Sequence, residues 1–269
     1  MTEDKKLTFY KWLFSMAEKP LIDNPVINGR WGLLHIITLI SCIGIIIGIA
    51  FLYKYSKNKE KTRKIIIVTL TSLLLFFEVM MRVVRFRIYW NDLTFKQVMW
   101  IIIPRPWCAI ASWSLLLSVV IRKKFFYNYA SATALLCTIM FFACPGVGFN
   151  NQIILFENLY SISTHSLLLI ISISLITLGY TDFRYHKGIW KEALALAITV
   201  LYALVMIKIG FEKDPMYFMP NGDIQAGILG ISYGLYMVIY VVFMIIYFNA
   251  FYLITDRKKV KALLKKKEA

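Results

Sequence analysis

The chain has 269 residues, of which 59% are hydrophobic and 17% charged, and its formal net charge is +16. A soluble domain of this length cannot hide so much apolar surface, because soluble surfaces carry far more charge. The Lys and Arg residues stand in short runs between apolar stretches, which is typical of cytoplasmic loops on anionic lipid. The composition therefore argues against a soluble nucleic-acid-binding protein and predicts an all-α, polytopic membrane helical bundle.

Apolar runs of about 20 residues, the length that crosses the hydrocarbon core as a helix, recur along the chain. We predict about seven transmembrane helices, near 31–53, 65–88, 100–121, 125–145, 158–180, 189–211 and 227–253. They form one transmembrane domain, 31–253, between an extracellular N-terminal segment, 1–30, and a basic cytoplasmic tail, 254–269. The N-terminal LTFYKWLFSMAEK mixes aromatic residues with lysines, so it either lies flat on the outer surface or packs on that end of the bundle.

The distribution of positive charge predicts the orientation of the bundle. Four segments hold 19 of the 31 Lys and Arg residues: KYSKNKEKTRK, RKK, RYHKGIWK and DRKKVKALLKKK, which follow the first, third, fifth and seventh spans. The opposite loops, GVGFNNQIILFE and EKDPMYFMPNGDIQ, carry almost no positive charge. By the positive-inside rule the N-terminus lies outside and the C-terminus inside. We expect a multi-pass protein of the cell membrane.

Ionisable side chains within a span are functional candidates, because their burial is costly unless they are paired. Glu78 and Arg82 lie four residues apart on the second span and so share one face, either as a structural ion pair or as part of a site. Pro104 and Pro106 each remove a backbone donor, so the start of the third span should be irregular and leave carbonyl groups free. Arg105 lies between these two prolines.

Cys108 and His165 lie at similar depths, roughly 12 and 10 Å from the predicted outer ends of the third and fifth spans. Cys108 is either a small apolar filler or a nucleophile. A neutral imidazole needs hydrogen-bond partners in hydrocarbon, so His165 either bonds to a neighbouring helix or serves a site.

The candidate residues collect in one half of the predicted bundle. The outer-leaflet half contains His35, Arg82, Arg105, Cys108 and His165, with Tyr160 close to His165 in sequence and Glu78 near mid-membrane. The inner half is predicted to be plain packing of Ile, Leu and Val. A conducting pathway needs polar groups through its full depth, so a one-sided polar pocket favours a site for a lipid or another amphiphile.

The four cysteines, Cys42, Cys108, Cys137 and Cys144, show no spacing typical of a disulfide scaffold or a metal site. We therefore predict no metal and no other cofactor. Membrane lipids are the expected partners, nucleic acid is not, and a membrane-protein partner and the oligomeric state are left open.

Three segments carry a resemblance to a known family: PRPWCAIASW (104–113), SISTHSLLL (161–169) and DPMYFMP (214–220). With the order of the spans over roughly 30–250, they resemble the YwaF-type bacterial integral membrane proteins, whose animal relatives include transmembrane protein 164. The animal relatives are described as lipid acyltransferases and a more distant group as lipid hydrolases, which pair a cysteine or threonine nucleophile with a histidine. The resemblance implies Cys108 as nucleophile and His165 as general base. Arg105 or backbone N–H groups near Pro106 would hold an oxyanion or a phosphate.

The chain also departs from the family pattern beside the cysteine. Bacterial members often carry a histidine two residues before it and an acidic residue just after it, where this chain has Pro106 and Ala109. Activation of the thiol would then depend on His165 alone. Three functions stay open: a lipid acyltransferase or hydrolase, a small-molecule transporter, and a non-catalytic membrane subunit or lipid-binding protein. The predicted substrate-binding residues are Arg105, Arg82, Glu78, His35 and Tyr160.

Overall fold

The computed structural model describes residues 7–17, 19–25, 31–143, 148–183, 189–211, 213, 216–220, 229–256 and 262. Within these residues the secondary structure is helical, without strands. The α-helices of this part are α1 (Phe9–Phe14), α2 (Leu33–Tyr55), α3 (Lys59–Ile88), α4 (Phe95–Ile102), α5 (Trp107–Ile121), α6 (Lys124–Ala143), α7 (Phe156–Thr177), α8 (Ile189–Lys208) and α9 (Tyr233–Thr255). A 3₁₀ turn, Trp90–Asp92, lies between α3 and α4.

Six helices of the described part are long and apolar enough to cross a membrane, namely α2, α3, α6, α7, α8 and α9. Helices α4 and α5 pass the same test together, as one span bent by 63°. The prediction of an all-α bundle with about seven spans is confirmed. The irregular start predicted for the third span is also present, because Pro104 and Pro106 stand in the break and Pro106 is the N-cap of α5.

Helices α6 and α7 form the centre of the bundle and pack against α3 and α5. Of the α6 span 72% is buried, compared with 6% of the α2 span. Small residues bring α6 and α7 close together, since Ser131 Oγ donates to the Ser172 carbonyl (3.0 Å) and Ser172 Oγ donates to the Ser131 carbonyl (2.6 Å). Helices α2, α8 and α9 expose many apolar side chains, as expected for helices that face lipid.

The connections between the spans separate into two ends. The first is here called the basic end. It contains the start of α3, the α5–α6 connection and the segment after α7. There Arg63 lies over the Tyr180 ring, and Lys124 Nζ lies 3.5 Å from Asp182 Oδ2. At the second, here called the α1 end, Lys19 Nζ lies 3.1 Å from Asp92 Oδ2. This separation agrees with the predicted alternation of the loops, whereas the side of the membrane on which each end lies stays a prediction.

The N-terminal segment packs on the α1 end. Trp12 Nε1 donates to the Ile154 carbonyl, and the Ala17 N–H donates to Glu157 Oε2, both at 2.9 Å. Met16 is buried in the same small apolar cluster as Phe156. Of the two arrangements predicted for this segment, the structure has the one in which it packs on the bundle.

The half of the bundle next to the basic end, which is the predicted inner half, contains buried polar groups as well as apolar ones. Asn128 Nδ2 donates to Glu192 Oε1 at 3.2 Å, and both residues are buried. The hydroxyls of Tyr129 and Thr199 share a further hydrogen bond between α6 and α8. The prediction of plain apolar packing in the inner half is therefore wrong for α6 and α8, because these spans bury polar side chains that hydrogen-bond to each other.

Some predicted features lie outside the described residues. These are Cys144, residues 184–188 of the third basic segment, Asp214 and Pro215 of DPMYFMP, residues 1–6 and 26–30 of the N-terminal segment, and most of the tail.

Candidate functional site

One cavity brings together most of the candidate residues. It has a volume of about 100 Å³ and lies between α3, the α4–α5 break, the start of α5 and the first half of α7. Its walls include Glu78, Arg82, Arg105, Cys108, Tyr160 and His165, together with Arg85, Pro106, Ala109, Ser112 and Thr164. A thiol and an imidazole from different spans thus line one cavity, which is a first condition for a Cys–His site.

Cys108 is the second residue of α5. The chain bends by 63° just before Cys108, and the N-terminus of α5 lies at the cavity wall. The positive end of the helix dipole therefore stabilises negative charge at this point, whether on the sulfur or on an oxyanion. Cys108 is partly exposed, whereas Cys42 and Cys137 are buried.

The imidazole of His165 is held by its own helix and by a neighbouring ring. Its Nδ1 lies 2.7 Å from the Ser161 carbonyl, an arrangement in which Nδ1 carries the proton and donates it. Nε2 is then the nitrogen that accepts a proton. Phe141 of α6 stacks on the imidazole with 3.8 Å between the ring centroids and 8° between the planes. The Nδ1 hydrogen bond is therefore within α7, and the neighbouring helix contributes stacking.

Glu78 and Arg82 form a buried ion pair in the cavity wall. Arg82 Nη1 lies 2.6 Å from Glu78 Oε2 and also donates to the Glu78 carbonyl at 2.7 Å. The Glu78 side chain is 1% exposed, and the Tyr160 hydroxyl donates to its other oxygen, Oε1, at 3.3 Å. A buried carboxylate persists only when it is paired and hydrogen-bonded, and both of its oxygens have partners here. A purely structural ion pair therefore accounts for the contacts of Glu78 and Arg82. Their role in substrate binding stays a prediction.

Three arginines line the cavity, and each lies over a tryptophan ring. The distances from the guanidinium carbon to the ring centroid are 5.0 Å for Arg82 over Trp113, and 5.2 and 3.7 Å for Arg85 and Arg105 over Trp100. Arg105 Nη1 also donates to the Phe211 carbonyl at 2.7 Å. Among the described residues that line the cavity, these three cations face one carboxylate, that of Glu78. The cavity therefore favours an anionic group.

The carbonyl groups of the α4–α5 break accept hydrogen bonds from side chains. The Tyr202 hydroxyl of α8 donates to the Pro104 carbonyl at 2.7 Å, and Arg82 Nε lies 3.5 Å from the Ile102 carbonyl. The backbone acceptors predicted at this break thus serve to tie α3 and α8 to it.

His35 lies outside the cavity. It is buried on α2, where the Trp31 N–H donates to its Nδ1 at 3.2 Å. Its ring lies 4.7 Å from Phe149 and 6.0 Å from Phe142, between ring centroids. His35 shares only its predicted outer-leaflet position with the other candidates, and depth in the membrane does not specify the face of the bundle.

Ser112 and Thr164 are among the cavity residues that were not predicted as site residues. Their hydroxyls donate to carbonyls of their own helices, those of Cys108 (3.0 Å) and Tyr160 (2.8 Å). Helical spacing could have indicated Ser112, since it is four residues after Cys108. No sequence pattern indicated the stacking of Phe141 on His165, because the two residues belong to different spans.

A family model described as the TMEM164 family matches residues 30–255, which is most of the chain and includes every cavity residue. The chain belongs to the TMEM164 family. The resemblance predicted from the three short segments is thereby confirmed. No curated protein and no solved structure matches the chain. As a TMEM164-family protein it is a multi-pass membrane protein in contact with lipid.

Proposed function

We propose that this TMEM164-family protein transfers or hydrolyses the acyl group of a membrane lipid, with Cys108 as nucleophile and His165 as general base. The observation that carries the proposal is that both side chains line one cavity beside a helix N-terminus. The hydrogen bond from Nδ1 to the Ser161 carbonyl supports it, because it makes Nε2 the proton acceptor.

The reaction begins when His165 Nε2 takes the proton of the Cys108 thiol. The thiolate attacks the carbonyl carbon of a lipid ester, and the α5 N-terminus and the nearby guanidinium groups stabilise the oxyanion that forms. The ester C–O bond breaks, and the imidazolium gives its proton to the leaving alkoxide. Water or a lipid hydroxyl then loses a proton to Nε2 and attacks the thioester. The acyl group leaves on this second nucleophile, and the sulfur regains its proton.

The size of the cavity suits the reacting ester more than the whole lipid. Sites for drug-sized ligands are about 300–1,000 Å³, and this cavity has about 100 Å³. The acyl chains would therefore stay in the surrounding bilayer while the ester enters. The arginines and Tyr160, which line the same space, would position the polar part of the substrate.

The test is acyl-enzyme formation on purified full-length protein in phospholipid nanodiscs. We expect a hydroxylamine-sensitive acyl adduct on Cys108 by mass spectrometry, and its loss in Cys108→Ala. In His165→Ala we expect the rate of adduct formation to fall by about 100-fold or more, the usual contribution of a general base. Cys137→Ala is the matched control, since this thiol is buried and absent from the cavity wall. Acyl transfer or hydrolysis by Cys108→Ala at the rate of the unmodified chain would refute the proposal.

The second candidate function is lipid binding without turnover. It is favoured by Pro106 and Ala109, which line the cavity at the positions where bacterial relatives often carry polar residues. In that case an ester lipid would bind beside Cys108 and would be recovered intact after long incubation, with no adduct on the sulfur.

A further inference from the structure

A second, larger cavity lies at the basic end, far from Cys108. Its volume is about 390 Å³, within the range of about 300–1,000 Å³ usual for ligand sites. Fifteen residues of α3 separate Arg63 in this cavity from Glu78 in the first. At 1.5 Å per residue the two are about 22 Å apart along the helix. The basic-end cavity therefore has no part in the chemistry proposed for Cys108.

Positive charge dominates the basic-end cavity. Arg63 and Lys64 come from the first turns of α3, and Arg122 is the C-cap of α5. Among the described residues that line it, the one acidic side chain is Glu60, whose Oε1 is 4.0 Å from Arg63 Nη2. Glu60 is 75% exposed, so this contact is largely screened by solvent. Three cations against one exposed carboxylate leave a net attraction for an anion.

Aromatic hydroxyl groups complete the polar wall. Arg63 lies over the Tyr180 ring at 5.3 Å, and the Tyr127 and Tyr180 rings are 5.2 Å apart. The positive charges of Arg63 and Arg122 both interact with the hydroxyl groups of Tyr127 and Tyr180. Guanidinium groups and phenol hydroxyls are the donors that bind phosphate oxygens. The cation–π contact with Tyr180 limits the rotamers of Arg63 and so lowers the entropy lost when it binds.

The apolar wall shows from which side an occupant enters. Ile65 and Val68 of α3 also line this cavity, and they are 55% and 52% exposed on a helix that crosses the membrane. The cavity thus runs from a cationic rim to side chains that face hydrocarbon. A free phosphate would use the rim alone, whereas a phospholipid would use the rim for its headgroup and the apolar wall for the start of its chains.

We infer that the basic-end cavity is a binding site for the phosphate-bearing headgroup of an anionic phospholipid. The headgroup phosphate lies between Arg63, Lys64 and Arg122, and the acyl chains follow Ile65 and Val68 into the bilayer. The basic end is the one that the positive-inside rule puts in the cytoplasm, so the lipid comes from the inner leaflet.

The experiment uses the purified full-length chain in a neutral detergent, with lipid adducts counted by native mass spectrometry. The probes are dioleoylphosphatidylglycerol, dioleoylphosphatidylcholine and inorganic phosphate. We expect a preference for the anionic lipid that falls by about tenfold or more in Arg63→Gln/Arg122→Gln, since a charge-assisted hydrogen bond contributes about that factor to affinity. Arg63→Lys keeps the charge and loses the guanidinium fork, so it should retain part of the preference.

The single variant Arg122→Gln should lose part of the preference. Lys123→Gln is its matched control, because Lys123 is exposed, directly follows Arg122 and is absent from the cavity wall. It removes the same charge at the same end and should leave the preference unchanged. An equal loss in Lys123→Gln and in Arg122→Gln would overturn the site, since general attraction to the basic end would then explain the binding. Phosphate that displaces the anionic lipid at equal concentration would overturn the lipid assignment in favour of a free anion. A thermal unfolding measurement on each variant is the control that checks whether the variant is folded.

Discussion

Glu78 and Arg82 form an ion pair that is buried in the wall of the Cys108 cavity. At 2.6 Å and an effective dielectric constant of about 20, the attraction between two unit charges is about 6 kcal/mol. Most of this gain is offset by the loss of hydration when both charges are buried. Removal of one partner leaves the other charge buried and uncompensated, at a cost of about 3–5 kcal/mol.

We therefore expect Arg82→Gln to lower the free energy of unfolding by about 3–5 kcal/mol. For a chain of this size the Tm should fall by about 10 °C, because each kcal/mol corresponds to about 2–4 °C. Glu78→Gln should have a comparable effect. The double variant Glu78→Gln/Arg82→Gln should cost clearly less than the sum of the two, since neither member of this pair is then left buried without the other. The measurement is thermal unfolding in detergent, followed by intrinsic tryptophan fluorescence.

The surface pair of Lys19 and Asp92 is the matched control. Its atoms are 3.1 Å apart, but the side chains are 40% and 64% exposed. Asp92→Asn should therefore cost no more than about 1 kcal/mol. If the two single substitutions in the buried pair add to within about 0.5 kcal/mol in the double variant, the charges are not coupled and the explanation is wrong.

Two further predictions concern packing and orientation. A Cβ at Gly148 would lie 2.7 Å from Phe141 Cζ, so Gly148→Ala should displace that ring and cost about 1–3 kcal/mol, measured by thermal unfolding. An unchanged Tm would contradict this. With the native cysteines replaced, a cysteine introduced at Asp92 should react with a membrane-impermeant maleimide in intact cells, whereas one at Lys123 should react after permeabilisation alone. The reverse pattern would show that the basic end lies outside.

The spans could be predicted from the sequence because lipid imposes a simple rule: an apolar run of sufficient length must form a helix. The break in the third span could also be predicted, since Pro104 and Pro106 remove backbone donors whatever their surroundings. Its angle of 63° could not, because it depends on how α5 packs against its neighbours.

The sequence allowed us to predict in which half of the membrane the candidate site lies. It did not allow us to predict which face of each helix points to that site. Cys108, His165 and His35 are all predicted in the outer-leaflet half, yet the cavity contains the first two and excludes the third. The face that a helix turns to its neighbours depends on contacts between spans, such as the stacking of Phe141 on His165. Contacts of this kind leave no periodic signal within a single span.

The central position of α6 has a consequence for how the chain enters the membrane during synthesis. It is the least apolar of the six unbroken spans of the described part and also the most buried. Its polar side chains bond to α7 through Ser131 and to α8 through Asn128, and both helices are made later. While they are absent, α6 would expose those groups to hydrocarbon at a cost in free energy. Stable insertion of the fourth span is therefore coupled to translation of the C-terminal half.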